Sequence, residues 1–211
     1  MKYKKIKIEF KKCEKNRFYR TLLVKEDLNL FNLGCAIVTA FGGSFEHHFL
    51  IRTEKKNFCP KIYSKSLNMI DNVLIDEYTL EDIENTFTFM YDFNSQWHFD
   101  GIVLETIEFD SKKEVILLDG KGQGIWEDRI KTLYAYFDGK LDPESLIEDE
   151  ENKYFKPWNK RVTKFGDFDT AFDLEYEKEM FFASYKCDVE MHKEQIEKTF
   201  GINRYALMEQ K

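Results

Sequence analysis

Proline and glycine are scarce in this chain, at three and 10 residues in 211. That scarcity excludes collagen-like repeats and the Pro/Gly-rich low-complexity classes. No apolar run approaches the roughly 18 residues a membrane span needs, and the mean hydropathy is −0.55. The opening MKYKKIKIEF alternates Lys with Ile instead of leading into an apolar stretch, so no signal peptide is expected. These absences point to a soluble, cytoplasmic globular protein with no membrane partner. Cysteine is limited to positions 13, 35, 59 and 187 with no CxxC. That spacing excludes a zinc finger, and in a leaderless chain it favours thiols over bridges, with Cys35 placed in the core. No GxSxG and no GK[ST] is present, and the GKGQG stretch at 120–124 reads as a turn rather than a phosphate cradle.

Aromatic residues are abundant, with 20 Phe and 11 Tyr, and 43% of the chain is hydrophobic, enough to build a core and exclude disorder. The net charge of −7 is unevenly placed, because residues 1–20 carry nine Lys or Arg against two acids. An acidic chain with pI near 5.3 is a poor general nucleic-acid ligand. The basic arm reads as the solvated face of an edge strand, where Lys discourages edge pairing. Residues 1–20 are therefore the one place where a local nucleic-acid contact is entertained. Residues 142–151 hold six acids and no base, and read as an exposed linker.

Ile6, Ile8 and Phe10 alternate with Lys5, Lys7 and Glu9, the period of a half-buried strand. Residues 18–24 predict its hairpin partner. Leu30, Leu33, Ile37 and Phe41 then recur at helical spacing, with Asn29 as N-cap and Gly42-Gly43 as the stop. Residues 47–52 predict a strand, 53–78 an irregular stretch, and 80–83 one helical turn. Phe87, Phe89 and Tyr91 share one strand face, with Thr86, Thr88 and Met90 opposite. Trp97, Phe99, Val103, Ile107 and Phe109 mark one face of a long strand that turns back at 110–112 into residues 115–118. A helix follows with Ile130, Leu133, Tyr134 and Phe137 as its stripe. Two more helices are expected beyond the linker, on Phe168, Phe172, Tyr176 and Met180, and on Val189, Ile196 and Phe200. The reading is α+β: a mostly antiparallel twisted sheet with helices packed on it and a C-terminal helical extension. Residues 1–145 form the α+β domain, and 146–211 the linker and helices packed on the same core.

Several of these segments together resemble a known family. Phe18-Tyr19-Arg20 leads into LLVKEDLNLFNLGCAIVTAFG, followed by EHHFLI, TFTFMYDFNSQWHF and VILLDGKGQGIWED. In order and spacing they are similar to the signature segments of the plasmid pRiA4b ORF-3-like family over about two-thirds of the chain. The resemblance implies a compact α+β domain of a bacterial or archaeal, plasmid-associated family, and it implies no particular reaction. The departures concern polar positions. The family's second Arg is Thr21, the His of its helix is Gly34, and the Gly and second Asp of its YDFGD segment are Asn94 and Ser95. Its following His is Phe99, with His98 one place earlier, and Glu127-Asp128 is kept without the flanking Pro and Cys-Gly-Gly.

The residues worth weighing for chemistry are His47, His48, Asp92, His98, Glu127 and Asp128, because imidazole and carboxylate groups converging at strand ends can act as acid and base or bind a metal. None of them stands in an HxH, HExxH or DxD spacing. The competing reading makes Asp92 a turn cap, His98 an exposed strand residue, and Glu127-Asp128 the start of a helix whose dipole suits acids. His192 falls within a helical stripe, and Trp97, Trp126 and Trp158 suit packing better than base stacking. Tyr19 and Arg20 face opposite sides of a strand, and Arg20 with Asp92 is expected as a structural ion pair or, failing that, an anion site. The expectation is a non-enzymatic binding or accessory domain, with protein or nucleic-acid contacts. Its candidate binding residues are Tyr19, Arg20, His47 and Trp97, with no metal and no cofactor. The alternative is a divergent metal-dependent hydrolase using Asp92, His98, Glu127 and Asp128.

Overall fold

Alternation along the strands decides which side of the sheet becomes the core. The structure, a computed structural model, describes residues 1–43, 47–60, 72–122, 124–125 and 130–140. The linker and the two helices expected beyond residue 145 lie outside these. β1 (Lys2–Phe10) buries Ile6, Ile8 and Phe10, while Lys5, Lys7 and Glu9 stay half-exposed on the other face. β2 (Tyr19–Lys25) pairs with it antiparallel, as the sequence predicts. α1 (Leu30–Ala40) begins at Asn29, whose Oδ1 accepts the Asn32 backbone N–H at 2.8 Å. At its far end Gly42 takes a φ of +69°. Gly42 N–H donates to Thr39 O and Gly43 N–H to Val38 O, a closure that a left-handed glycine makes possible. The expectation of a single apolar stripe understates this helix. Every residue except Asn32 is buried, so α1 runs through the core instead of lying on it.

The remaining strands are β3 (Phe49–Arg52), β4 (Asn57–Cys59), β5 (Asn72–Leu74), β6 (Thr86–Tyr91), β7 (Trp97–Glu108) and β8 (Val115–Lys121), followed by α2 (Ile130–Phe137). They form one eight-stranded sheet in the order β5-β4-β3-β6-β7-β1-β2-β8. Several expectations need correction. β4 and β5 pair parallel, which makes the sheet mixed. Both strands fall in the stretch read as irregular, since three residues are too few to display a period. β8 does not fold back on β7. It pairs with β2, because the β1–β2 hairpin is inserted between them. β1 is consequently an interior strand, and its lysines do not guard an edge. Finally, β7 carries a bulge, so that Ile6 pairs with Val103 but Lys5 with Glu105. The extra residue, Leu104, is 51% exposed. One inserted residue reverses the pleat, so Ile107 shares the face of Tyr3, opposite to Val103.

The inner face is filled by rings. Phe41 and Phe99 stand 4.6 Å apart between centroids, and Phe10 touches Phe18, Trp97 and Phe99 at 5.3–5.5 Å. Lys4 is buried on this face. Its ammonium donates to the carbonyls of Leu80, Glu81 and Ile83 at 3.0, 3.3 and 2.9 Å, matching three donors to three acceptors. It thereby fastens the 3-10 turn Leu80–Asp82 to β1. On the other face Tyr3 is also buried, and its hydroxyl donates to Ser111 O and Lys113 O in the β7–β8 connection. No disulfide joins any two of Cys13, Cys35 and Cys59, and Cys35 is in the core.

Gly34 marks where α1 meets β3. A Cβ there would stand 2.0 Å from the Phe49 ring, which is itself held between Phe31 and Phe89 at 5.4 and 5.5 Å. Mid-helix Gly→Ala ordinarily stabilises, by up to about 1 kcal/mol. Here the ring has nowhere to go, and overpacking dominates. Gly34→Ala should lower the unfolding free energy by about 1–3 kcal/mol in urea titrations; an unchanged or raised midpoint would show that the helix–strand contact is looser than described.

Candidate functional site

The sequence candidates separate onto two sides of the sheet. On the buried side, at the rim formed by the β6–β7 turn, Asp92 is 1% exposed and adopts φ +54°. Its Oδ1 accepts the Asn94 backbone N–H at 3.0 Å, the turn-capping role weighed for it. The same oxygen lies 3.6 Å from His47 Nδ1. The two segments are zipped together by their main chains: Asp92 N–H donates to His48 O at 3.0 Å, and His47 N–H to the Tyr91 hydroxyl at 3.3 Å. The His47 and Tyr91 rings meet edge to face at 5.9 Å. Trp97, directly across the hairpin from Tyr91, is fully buried and packs on Phe10 and Phe99. Asp92 Oδ2, Trp97 Nε1 and the Tyr134 hydroxyl are buried without a hydrogen-bond partner among the described residues. His47 and Asp92 supply two of the donors a metal would need, one short of the three protein ligands of a catalytic zinc centre. Among the described residues no group of three or more His, Cys, Asp or Glu side chains is placed to hold an ion.

Arg20 does not pair with Asp92. Fully buried, it sends Nε to Ala40 O at 2.7 Å and one terminal nitrogen to Tyr19 O and Lys121 O at 2.8 and 2.9 Å. Its guanidinium lies 4.8 Å from the centre of the Phe41 ring. The residue opposite it on β8 is Gly120, where a Cβ would stand 2.6 Å from Arg20 Cδ. The cation therefore seals the exposed carbonyl end of α1 and pins the glycine-rich stretch after β8 to it. A lysine in its place has a point charge where a planar fork is needed. Arg20→Lys should cost about 2–3 kcal/mol of stability, read by urea unfolding; a loss below a few tenths would contradict this bonding.

His98 stands on the outer face, opposite to Trp97 and paired with Met90. The charged groups around it are Lys11, Lys12, Arg52 and Asp100. Asp92 is not among them, so the structure does not bring together the Asp92–His98 half of the expected hydrolase set. Glu127 and Asp128 lie outside the described residues, as do Trp126, Trp158 and His192. Tyr19 is also on the outer face. Its hydroxyl donates to Asp119 Oδ2 at 2.8 Å, and Lys7 Nζ sits 4.6 Å above its ring. Strand register aligns Arg52, Thr88, Asp100, Glu9 and Tyr19 in one row across five strands. Between β3, β6 and β7 this face carries an open cleft of about 500 Å³ lined by Arg52, Glu54, Thr86, Thr88, Asp100 and Ile102. These residues escaped the sequence reading because register, which brings them together, is not visible in a single strand.

The basic arm is largely neutralised where it folds. Lys2 and Lys4 face Glu26 at 3.9 and 3.7 Å, Lys5 meets Glu105 at 3.1 Å, Lys7 meets Glu9 at 3.4 Å, and Lys11 meets Asp100 at 3.7 Å. Arg17 lies over the Phe137 ring and Lys12 over that of Tyr134. A surface of alternating charges offers little to a phosphate backbone.

Burial holds both His48 and His98 below the ordinary imidazole value of 6.5, helped by the neighbouring His47 for the first and by Lys11, Lys12 and Arg52 for the second. The unfolded chain then binds more protons than the folded one below that value. Stability is complete above about pH 6.5 and declines as pH falls through the depressed folded values. The variant carrying His48→Gln and His98→Gln should lose less stability than the parent between about pH 6.5 and 5, measured as urea midpoints. Identical slopes would contradict the assignment.

Among known proteins, this chain is similar to MM3350 from Methanosarcina mazei Go1, a protein of unknown function with a crystal structure. The two share 18% identity over 80% of this chain and 92% of that one, with a TM-score of 0.57, a likeness of fold. None of the curated proteins matches it. No helix among the described residues is long and apolar enough to cross a membrane. The profile of the plasmid pRiA4b ORF-3-like proteins matches residues 2–176, and with the helix, the aromatic-Arg strand and the YDF turn in the places that signature requires, the chain belongs to that family.

Proposed function

We propose that the chain is a non-enzymatic binding domain that recognises a protein partner on the outer face of its sheet. The observation that carries this reading is the sorting of its polar residues. The imidazole–carboxylate contact of His47 with Asp92 is tied into the buried rim by main-chain bonds, and its carboxylate is 1% exposed. The groups that face outward form a row of mixed charge beside a cleft, with Ile102 and Leu104 exposed at 43% and 51%. Mixed polar and apolar surface of this kind suits recognition, where charge sets register and apolar contact adds affinity. The place where relatives of this signature carry a helix histidine, Gly34, is occupied by the Phe49 ring, so packing has taken the space of a polar group. Partner chemistry follows from the face itself: acidic and basic side chains alternate, which favours a peptide surface over a uniformly charged polymer.

NMR shift mapping of the full chain against defined peptide pools of acidic, basic and neutral composition tests this reading. Saturable shifts should cluster at outward positions such as Thr86, Thr88, His98 and Asp100. The reading fails if no pool gives saturable shifts there. It also fails if the chain hydrolyses phosphate or carboxylate esters and Asp92→Asn abolishes that turnover while leaving the fold intact.

A further inference from the structure

We propose that the chain forms a two-fold dimer in which the β8 strands of two copies pair antiparallel and make one continuous sheet. β8 ends the strand order of the sheet, bonded to β2 on one side and to no strand on the other among the described residues. The register shows which of its main-chain groups are left over. Lys25 N–H donates to Glu114 O at 2.8 Å, so Glu114 and, by alternation, Ile116 turn their N–H and C=O toward β2. Val115 and Leu117 therefore aim theirs at the open side. A row of such donors and acceptors selects an extended main chain as its partner.

β8 differs from the other open edges of the sheet. Natural edges are blunted by shortness, by charge or by bulges. β5, at the opposite end, has only three residues. The part of β7 that runs past the end of β6 carries Glu105 and Glu108. Residues 115–118 of β8, Val-Ile-Leu-Leu, carry no charge, and Leu118 is 40% exposed. The register with β2 slips only between Leu117 and Asp119, so the bulge comes after the open positions Val115 and Leu117.

The pattern of open groups fixes the register of a symmetric pair. Centred on Ile116, Val115 faces Leu117 of the second copy, and Leu117 faces its Val115. Both are open positions, so these two pairs exchange about four main-chain bonds. A pair centred on Leu117 brings in Asp119, whose main chain is turned to Thr21 of β2 after the slip. One centred on Val115 brings in Lys113, whose carbonyl accepts the Tyr3 hydroxyl at 2.8 Å. In the Ile116 register the half-buried Ile116 meets itself across the axis, and Glu114 meets Leu118. No charge then opposes a like charge, and apolar side chains meet apolar side chains. This self-complementarity is what singles out a second copy as the occupant. The contact is separate from the outer-face site, and its failure leaves that reading untouched.

Sedimentation equilibrium of the full chain tests the contact. The mass should rise from 25.3 kDa to about twice that over roughly a hundredfold range of concentration. Leu118→Glu sets a carboxylate against Glu114 of the other copy and should weaken association roughly tenfold. Adding Glu114→Lys to that variant should restore association, a rescue that loss of apolar surface or of fold does not produce. Ile116→Cys should form an intermolecular disulfide under mild oxidation beyond any the parent forms through its own thiols. Residues facing each other in a non-bonded antiparallel pair bring their Cα atoms within disulfide reach. A monomeric mass at every concentration overturns the proposal, and so does a dimer indifferent to the charge variants and to Ile116→Cys. Peptide-pool shifts at residues 115–118 of a chain that stays monomeric overturn it as well, assigning the edge to a different partner.

Discussion

One buried guanidinium joins the parts of this fold that the chain would otherwise leave separate. Arg20 reaches from β2 to the last carbonyl of α1 and to the carbonyl of Lys121 at the end of β8, with the Phe41 ring against its face. The end of a helix leaves carbonyls without partners, and inside a core each must be satisfied. Here Gly42 and Gly43 take Thr39 and Val38, Ile125 takes Phe41, and Arg20 takes Ala40. A helix buried on nearly every side is tolerable only because that accounting closes. Lys4 does the same work at the other end of the core, closing the carbonyls of the turn after Thr79. Both buried cations therefore serve as donors to main chain, each bound by several carbonyls.

The same constraint explains why the chemistry is divided. A strand alternates its side chains, so adjacent residues such as Tyr19 and Arg20, or Trp97 and His98, are delivered to opposite environments. The inner set is consumed by packing: Arg20 under Phe41, Trp97 among Phe10 and Phe99, Asp92 in its turn. The outer set keeps access to solvent and is organised by register across β3, β6, β7, β1 and β2. That division is the physical content of the binding reading, since recognition needs polar groups that a partner can reach.

Much of this was legible from sequence, and the boundary of legibility has a physical cause. Local periodicity marks β1, α1 and β6, because each repeats its pattern within the element itself. The Asn29 cap and the Gly42-Gly43 stop are equally local. What sequence does not display is anything set by partners: the insertion of the β1–β2 hairpin between β7 and β8, the parallel β4–β5 pair, and the bulge at Leu104 that sends Ile107 to the other face. The site follows suit. Asp92 as a turn cap was readable from its neighbours, whereas its contact with His47 and the row from Arg52 to Tyr19 exist only once strands are registered. The sequence suggests Asp92 as the structural partner of Arg20, whereas the bonds Arg20 makes among the described residues go to carbonyls, which carry no signature in a side-chain sequence.

Native-state hydrogen exchange bears most directly on the claim that Arg20 makes helix end and sheet a single unit. The amides of Gly42, Gly43 and Ile125, which close the end of α1, should exchange with the same opening free energy as interior sheet amides such as those of Ile6 and Phe99. Exchange at the helix end by local fraying, orders of magnitude faster than in the sheet, would contradict it.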